Sequence, residues 1–127
     1  MLHSIDQSKS PVSEGMTVTK AVVAAAERLG LSARQLASVV GVSEATVSRM
    51  KRLDFLLERG TKPFELALLL IRLFRSLDAI TGGDEGVAKA WLRSPNTALA
   101  AVPLERISSI SGLVDVLAYL DARRALV

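Results

Sequence analysis

Cysteine is absent from the 127 residues, and histidine occurs once, at His3. Without thiolates there is neither a disulfide framework nor a thiolate-ligated zinc site. A single imidazole in a polar N-terminal stretch also excludes most metal sites and most nucleophile–histidine chemistry. Aromatic residues are scarce: Phe55, Phe64, Phe74, Trp91 and Tyr119 are all there are, although half of the chain is hydrophobic. The core must then come from Leu, Val, Ile and Ala, which is the composition of packed helices rather than of a β-sandwich. Long apolar runs are missing too. The strongest, "LALLLI" at 66–71, stops at Arg72 and falls far short of the roughly 20 residues that span a bilayer. The opening "MLHSIDQSKSPVSEG" lacks the apolar centre of a signal peptide. These absences lead us to expect a cytoplasmic protein with no membrane contact, no cofactor and no enzymatic activity.

Charge is nearly balanced, at +3 formally, but it is unevenly placed. Residues 33–62 hold Arg34, Arg49, Lys51, Arg52, Arg59 and Lys62 against Glu44, Asp54 and Glu58, and the rest of the chain is neutral. The whole excess therefore sits in one stretch, as expected for a polyanionic partner.

The periodicity is helical throughout, and the fold class it predicts is all-α. Residues 1–16 mix Ser, Pro, Gly and charges and read as a mobile tail. From Thr17, the residues Val22, Ala26 and Leu29 share one helical face, and Gly30 ends the helix. Ser32 and Gln35 form a capping box for a short helix burying Leu36, Ala37 and Val40 and stopping at Gly41. Ser43 caps a third helix with Val47 and Met50 inward. "RLDFLLERGTKP" reads as a short helical turn closed by Gly60. Thr61 and Pro63 then open a long helix. Its Leu66, Leu70, Leu73, Leu77 and Ile80 make an α-helical stripe, widened by Leu68, Leu69, Ile71 and Phe74 to touch neighbours on two sides. "TGGDEG" and "RSPN" bracket a helix that starts at Asp84 and Glu85 and presents Val87, Ala90 and Trp91. Beyond Pro103 come segments with Ile107 and Ile110, then Leu113, Val116, Leu117 and Leu120. No stretch alternates polar and apolar for long enough to argue a strand.

"LSARQLASVVGVSEATVSRMKR" has the layout of a helix-turn-helix. Small Ala37 permits a close helix crossing, and Gly41 supplies a turn whose left-handed conformation costs glycine least. With Val42, Val47 and Met50 inward, the outward candidates after the Ser43 cap are Glu44, Ala45, Ser48, Arg49 and Arg52, with Thr46 beside them. A recognition helix sets its N-terminal residues at base edges while the preceding helix crosses the phosphates. Arg34 and Gln35 at the start of that preceding helix suit phosphate. Arg49 can pair bidentately with guanine, and Thr46 and Ser48 can bond bases or phosphates. Lys51 and Arg52 suit phosphates, which hold register without reading sequence. The competing reading is a packing unit with a solvated polar face, in which Glu44 merely complements the helix N-terminus.

The C-terminal half carries no nucleic-acid signature. Its "GGDEGVAKAWLRSPNTALAAVPLERISSISG" resembles the C-terminal domain of the MbcA/ParS/Xre antitoxin family. Gly83, Asp84, Trp91, Leu92, Pro95, Asn96, Leu99, Pro103, Leu104 and Gly112 carry the likeness, followed by Val116 and Leu117. With the helix-turn-helix in front, it covers most of the chain after Thr17. The resemblance implies a tail at 1–16, a DNA-binding module at 17–61 and a toxin-binding domain at 62–127. It implies further that the partner is a RES-domain toxin that depletes NAD. The C-terminal region would occlude that toxin's active site, and the N-terminal module would bind operator DNA to repress the shared operon. Two departures stand out. Ala100 and Ala101 replace a frequent Gly-Gly, and "DARRALV" replaces a glycine-containing ending.

Each of these residues also has a plain structural role available to it. Trp91 can anchor a core, Asn96 after Pro95 can make an Asx turn, and Asp84 and Glu85 can serve the helix N-terminus. Arg123 and Arg124 can complement a helix C-terminus. Their position beside apolar Leu126 and Val127 suits insertion into a pocket for a phosphate-bearing cofactor. The expected toxin-binding set is therefore Trp91, Asn96, Arg123, Arg124, Leu126 and Val127. A homodimer inside a larger toxin complex is expected, with the 66–80 helix and Leu113, Val116, Leu117 and Leu120 as interface. The alternative is a helix-turn-helix regulator whose C-terminal half only dimerises.

Overall fold

In the computed structural model, which describes residues 10–126, the chain forms helices only: α1 (Pro11–Leu29), α2 (Ala33–Val40), α3 (Glu44–Lys51), α4 (Lys62–Ile80), α5 (Glu85–Arg93), α6 (Pro103–Arg106) and α7 (Ile110–Arg124). The one β-like feature among the described residues is an isolated bridge between Asn96 and Ala101. His3 and Val127 lie outside the described residues.

Capping explains most of the boundaries. Ser32, Ser43, Thr61, Asp84 and Ser109 each accept a bond from a backbone N–H in the first turn they open, satisfying donors that the helix itself leaves free. The Ser32–Gln35 capping box forms as expected.

α1 begins six residues earlier than the sequence pattern predicts. Ser10 caps it, accepting from the Ser13 amide at 3.2 Å, and Pro11 takes the first turn. Gly15 reads as a helix breaker, yet it sits buried within the helix where the following loop crosses. A Cβ there would collide with the Leu57 carbonyl oxygen. One turn on, the buried Thr19 hydroxyl donates to the Gly15 carbonyl at 2.6 Å and accepts from the Leu57 amide at 2.9 Å. Residues 52–61 are thus an irregular loop pinned by Leu57, not the helical turn expected.

α4 is central, packing against α7, α1 and α2. Leu66, Leu70, Leu73 and Leu77 are buried, as are Leu113, Val116, Leu117 and Leu120 of α7. These two stripes belong to a single buried cluster that runs from Val22 to Leu120 through both halves. They were expected to form an interface between copies. The chain's own core uses them instead, because α4 and α7 make the most extensive helix pair in the molecule.

α5 also turns a different face inward. Ala88 and Leu92 are buried, while Val87 and Ala90 are exposed and Trp91 is half-buried. In so short a helix, one i, i+4 pair suffices to seat it, and the larger apolar residues lie along the adjacent stripe. Ile110 at the start of α7 is likewise exposed, whereas Ile107 is buried.

Two arginines tie the halves together. Arg93 of α5 donates to the Leu29 and Gly30 carbonyls at 3.2 and 2.8 Å, satisfying acceptors at the end of α1. Arg28 of α1 reaches Glu85 at 3.2 Å and Asp78 at 3.7 Å and lies 4.9 Å over the Phe74 ring.

Candidate nucleic-acid and toxin interfaces

The turn between α2 and α3 is built as its sequence implies. Gly41 adopts φ 77°, and its amide, like that of Val42, returns to the Ala37 carbonyl. Ala37, Val47 and Met50 are buried at the crossing. That leaves Arg34 on α2, then Ser43, Glu44, Ser48, Arg49, Lys51 and Arg52 exposed around α3. Gln35 is half-buried, and its side-chain oxygen accepts from the Ser32 amide at 2.8 Å. Its amide nitrogen stays available.

Thr46 departs from the outward set because it is buried. Its hydroxyl oxygen accepts from Ser43 Oγ at 3.0 Å and from Arg49 Nη2 at 3.0 Å. The Arg49 guanidinium also lies 5.9 Å over the ring of Phe55. Thr46 therefore does not offer its hydroxyl outward; it positions the arginine that does face out. Phe55 shares that task, and sequence reasoning missed it, since a lone Phe in an irregular stretch carries no period. What brings it back is the end of α3. Leu53 takes φ 61°, with its amide bonded to the Met50 carbonyl and the Asp54 amide to the Arg49 carbonyl at 2.8 Å. That is a left-handed helix terminus of the kind glycine usually makes. Asp54 then pairs with Arg52 at 3.1 Å, partly neutralising one of the expected phosphate contacts.

At the other end, α5 and α7 bring Trp91 and Arg123 together through Tyr119. The Trp91 and Tyr119 rings stack at 6.1 Å with 17° between their planes. Arg123 donates to the Tyr119 hydroxyl at 3.0 Å and lies 5.9 Å from its ring. Tyr119 is the second residue that sequence reasoning missed. Its spacing of four from Arg123 was the available signal.

Arg124 points elsewhere, toward α4, where it approaches Ser76 Oγ at 3.5 Å. Asn96 is used internally: its side-chain oxygen accepts from the Leu99 amide at 3.0 Å, and its backbone pairs with Ala101. Asp84 caps α5, which is its expected helix-terminus role, and Glu85 in the first turn pairs across to Arg28 of α1. Leu126 is 83% exposed.

The Gly-to-Ala departure is not neutral in this setting. Ala100 has φ 54°, a conformation that costs a residue with a Cβ about 1–2 kcal/mol. Gly112, by contrast, keeps its glycine for cause. It lies in the first turn of α7, where a Cβ would run into the Arg106 carbonyl.

No described helix is long and apolar enough to cross a membrane. Comparison with curated proteins finds no match. Residues 10–72 match the family described as the antitoxin Xre-like helix-turn-helix domain. Residues 76–125 match the antitoxin Xre/MbcA/ParS C-terminal toxin-binding domain. The two matches meet inside α4, the helix that both halves pack against. With a helix-turn-helix in front and a toxin-binding domain behind, the chain belongs to the Xre/MbcA/ParS antitoxins.

Proposed function

We propose that this antitoxin neutralises a RES-domain toxin that degrades NAD by occluding its active site, and that it binds operator DNA to repress the operon it shares with that toxin. The observation that carries this reading is the tandem of the two family matches, one ending and the other beginning within α4. The resemblance of residues 82–112 to antitoxins with RES partners supports the identity of the toxin. The protein is not itself an enzyme and works in the cytoplasm.

DNA binding belongs to residues 17–61. Arg49, seated by Thr46 and Phe55, reads a base, and Ser48 and Glu44 lie beside it. Arg34, Gln35, Ser43, Lys51 and Arg52 hold phosphates. Toxin binding belongs to residues 62–127. Trp91 and Arg123 act as one stacked unit, Asn96 shapes the neighbouring loop, and Arg124, Leu126 and Val127 reach the toxin. A homodimer matches two operator half-sites. Because the buried leucines of α4 and α7 are used within the chain, its contacts come from apolar side chains still exposed, among them Leu68, Ile110 and Val114.

The test is co-expression with the product of the neighbouring gene, reading growth and cellular NAD. Wild type should protect. A chain ending at residue 122 should lose protection yet still bind an operator fragment, since residues 123–126 contribute no buried side chain. Full protection by the shortened chain would place the occluding surface elsewhere.

A further inference from the structure

The C-terminal end of α7 and the facing stretch of α4 enclose a recess of about 520 Å³ lined by Arg72, Arg75, Ser76, Asp121, Arg124 and Ala125. Its floor is fixed. Ser76 is buried and donates to Asp121 Oδ1 at 2.9 Å, while Arg72 donates to Asp121 Oδ2 at 2.9 Å. Both oxygens of Asp121, the only side-chain carboxylate lining the recess among the described residues, are thus engaged.

The other two arginines are not compensated. Arg124 reaches only the Ser76 hydroxyl, at 3.5 Å, and Arg75 has no hydrogen bond or ion pair among the described residues. Of the arginines outside the recess, Arg28, Arg52, Arg59 and Arg106 each pair with a carboxylate, whereas Arg93 and Arg123 bond carbonyl or hydroxyl oxygens. Among the described residues, three guanidinium groups face one side-chain carboxylate, which leaves two positive charges in excess. Like charges gathered around one opening repel until an anion enters. The planar fork of arginine fits a carboxylate with two parallel bonds.

We infer that this recess receives an acidic side chain of the toxin, an Asp or Glu held between Arg75 and Arg124. The inference rests on the antitoxin reading. The choice of a protein carboxylate over other anions rests on the toxin-binding match, which spans Ser76, Asp121 and Arg124. Exposed Leu126, next in the chain after the lining residue Ala125, adds an apolar neighbour of the kind that accompanies arginine anchors at interfaces.

The experiment measures capture of the neighbouring gene's product by the full-length chain, carrying Arg75→Glu, Arg75→Lys or the matched surface control Lys20→Glu, across a salt series. Arg75 and Lys20 are exposed and have no hydrogen bond or ion pair among the described residues, so all three variants should unfold at the wild-type temperature. Arg75→Glu should weaken capture about tenfold at low salt, with the gap narrowing as salt rises. Arg75→Lys, which keeps the charge and loses the fork, should fall between, and Lys20→Glu should match wild type. Capture by Arg75→Glu equal to wild type overturns the inference and leaves the antitoxin reading standing. No complex with the wild-type chain overturns both. Weakened operator binding by Arg75→Glu without toxin would assign the recess to nucleic acid. Inorganic phosphate bound through Arg75, with toxin capture unchanged, would assign it to small oxyanions. Either of these results overturns the inference.

Discussion

Arg49 of α3 and Arg123 of α7 face outward from opposite halves of the chain, and they are seated in parallel ways. Each guanidinium donates to a hydroxyl on its own helix, Thr46 in one case and Tyr119 in the other, and each lies 5.9 Å from an aromatic ring. Arginine carries about 2 kcal/mol of rotamer entropy, and a seat of this kind removes part of it before a partner arrives. The supports differ in origin. The ring under Arg49 comes from the loop after its helix, delivered by the left-handed turn at Leu53. The ring under Arg123 comes from α7 itself and is backed by Trp91 of α5. The Arg49 seat therefore depends on a turn, and the Arg123 seat on the packing of two helices. Arg124, next in the chain, has neither support.

The sharpest way to break the comparison is through the core beneath both sites. Leu73 of α4 is fully buried in the cluster common to the two halves. Leu73→Ala should destabilise by about 2–5 kcal/mol, and unfolding followed by circular dichroism should remain one transition. Two separated transitions would show that the halves unfold independently and that the two seats share no foundation.

Next in size is the base contact. Arg49→Ala should cost about 1–3 kcal/mol in operator binding and relax the preference at one base pair, whereas Lys51→Ala should weaken all sequences alike and lower the salt slope by about one. Competition binding against operator variants measures both. Equal loss on every sequence for Arg49→Ala would make it a phosphate contact.

Phe55→Ala should have a smaller effect, about 0.5–1 kcal/mol, the value of an exposed cation–π contact. It should act on discrimination at the base that Arg49 reads and leave non-specific binding untouched. A uniform loss would mean that the ring serves the loop rather than the arginine.

Smallest is Ala100→Gly. Relief of the left-handed strain is partly offset by the greater freedom of glycine in the unfolded chain, leaving a gain of about 0.5–1 kcal/mol in denaturant unfolding. A loss of stability instead would mean that the Ala100 methyl contributes packing beyond its strain.

Much of this was legible in the residues. The all-α class, the capping box at Ser32, the Gly41 turn and the α4 stripe follow from spacings of a few residues, because helix period and caps are local physics. The family likeness of residues 82–112 was also readable, since its Trp, Pro, Asn and Gly positions are close in sequence. What misled was context at a distance. Gly15 looks like a breaker until Leu57, 42 positions on, is brought against it by the fold. Thr46 looks outward until its hydroxyl is seen holding Arg49. The apolar stripes of α4 and α7 looked free for a second copy until they were found facing each other.

The sequence by itself determined most of the helix boundaries, from the end of α1 to the caps of α2, α3 and α4, and which residue types could meet DNA or a protein, because those depend on neighbours within about one turn. Only the tertiary structure decided which apolar faces are spent on the core, which ring lies under which arginine, and that Arg72, Arg75 and Arg124 converge on one recess. Arg124 and Ser76 stand 48 positions apart, and no local period links such residues. Their meeting is set by how α7 lies against α4, which is the outcome of burying both stripes at once.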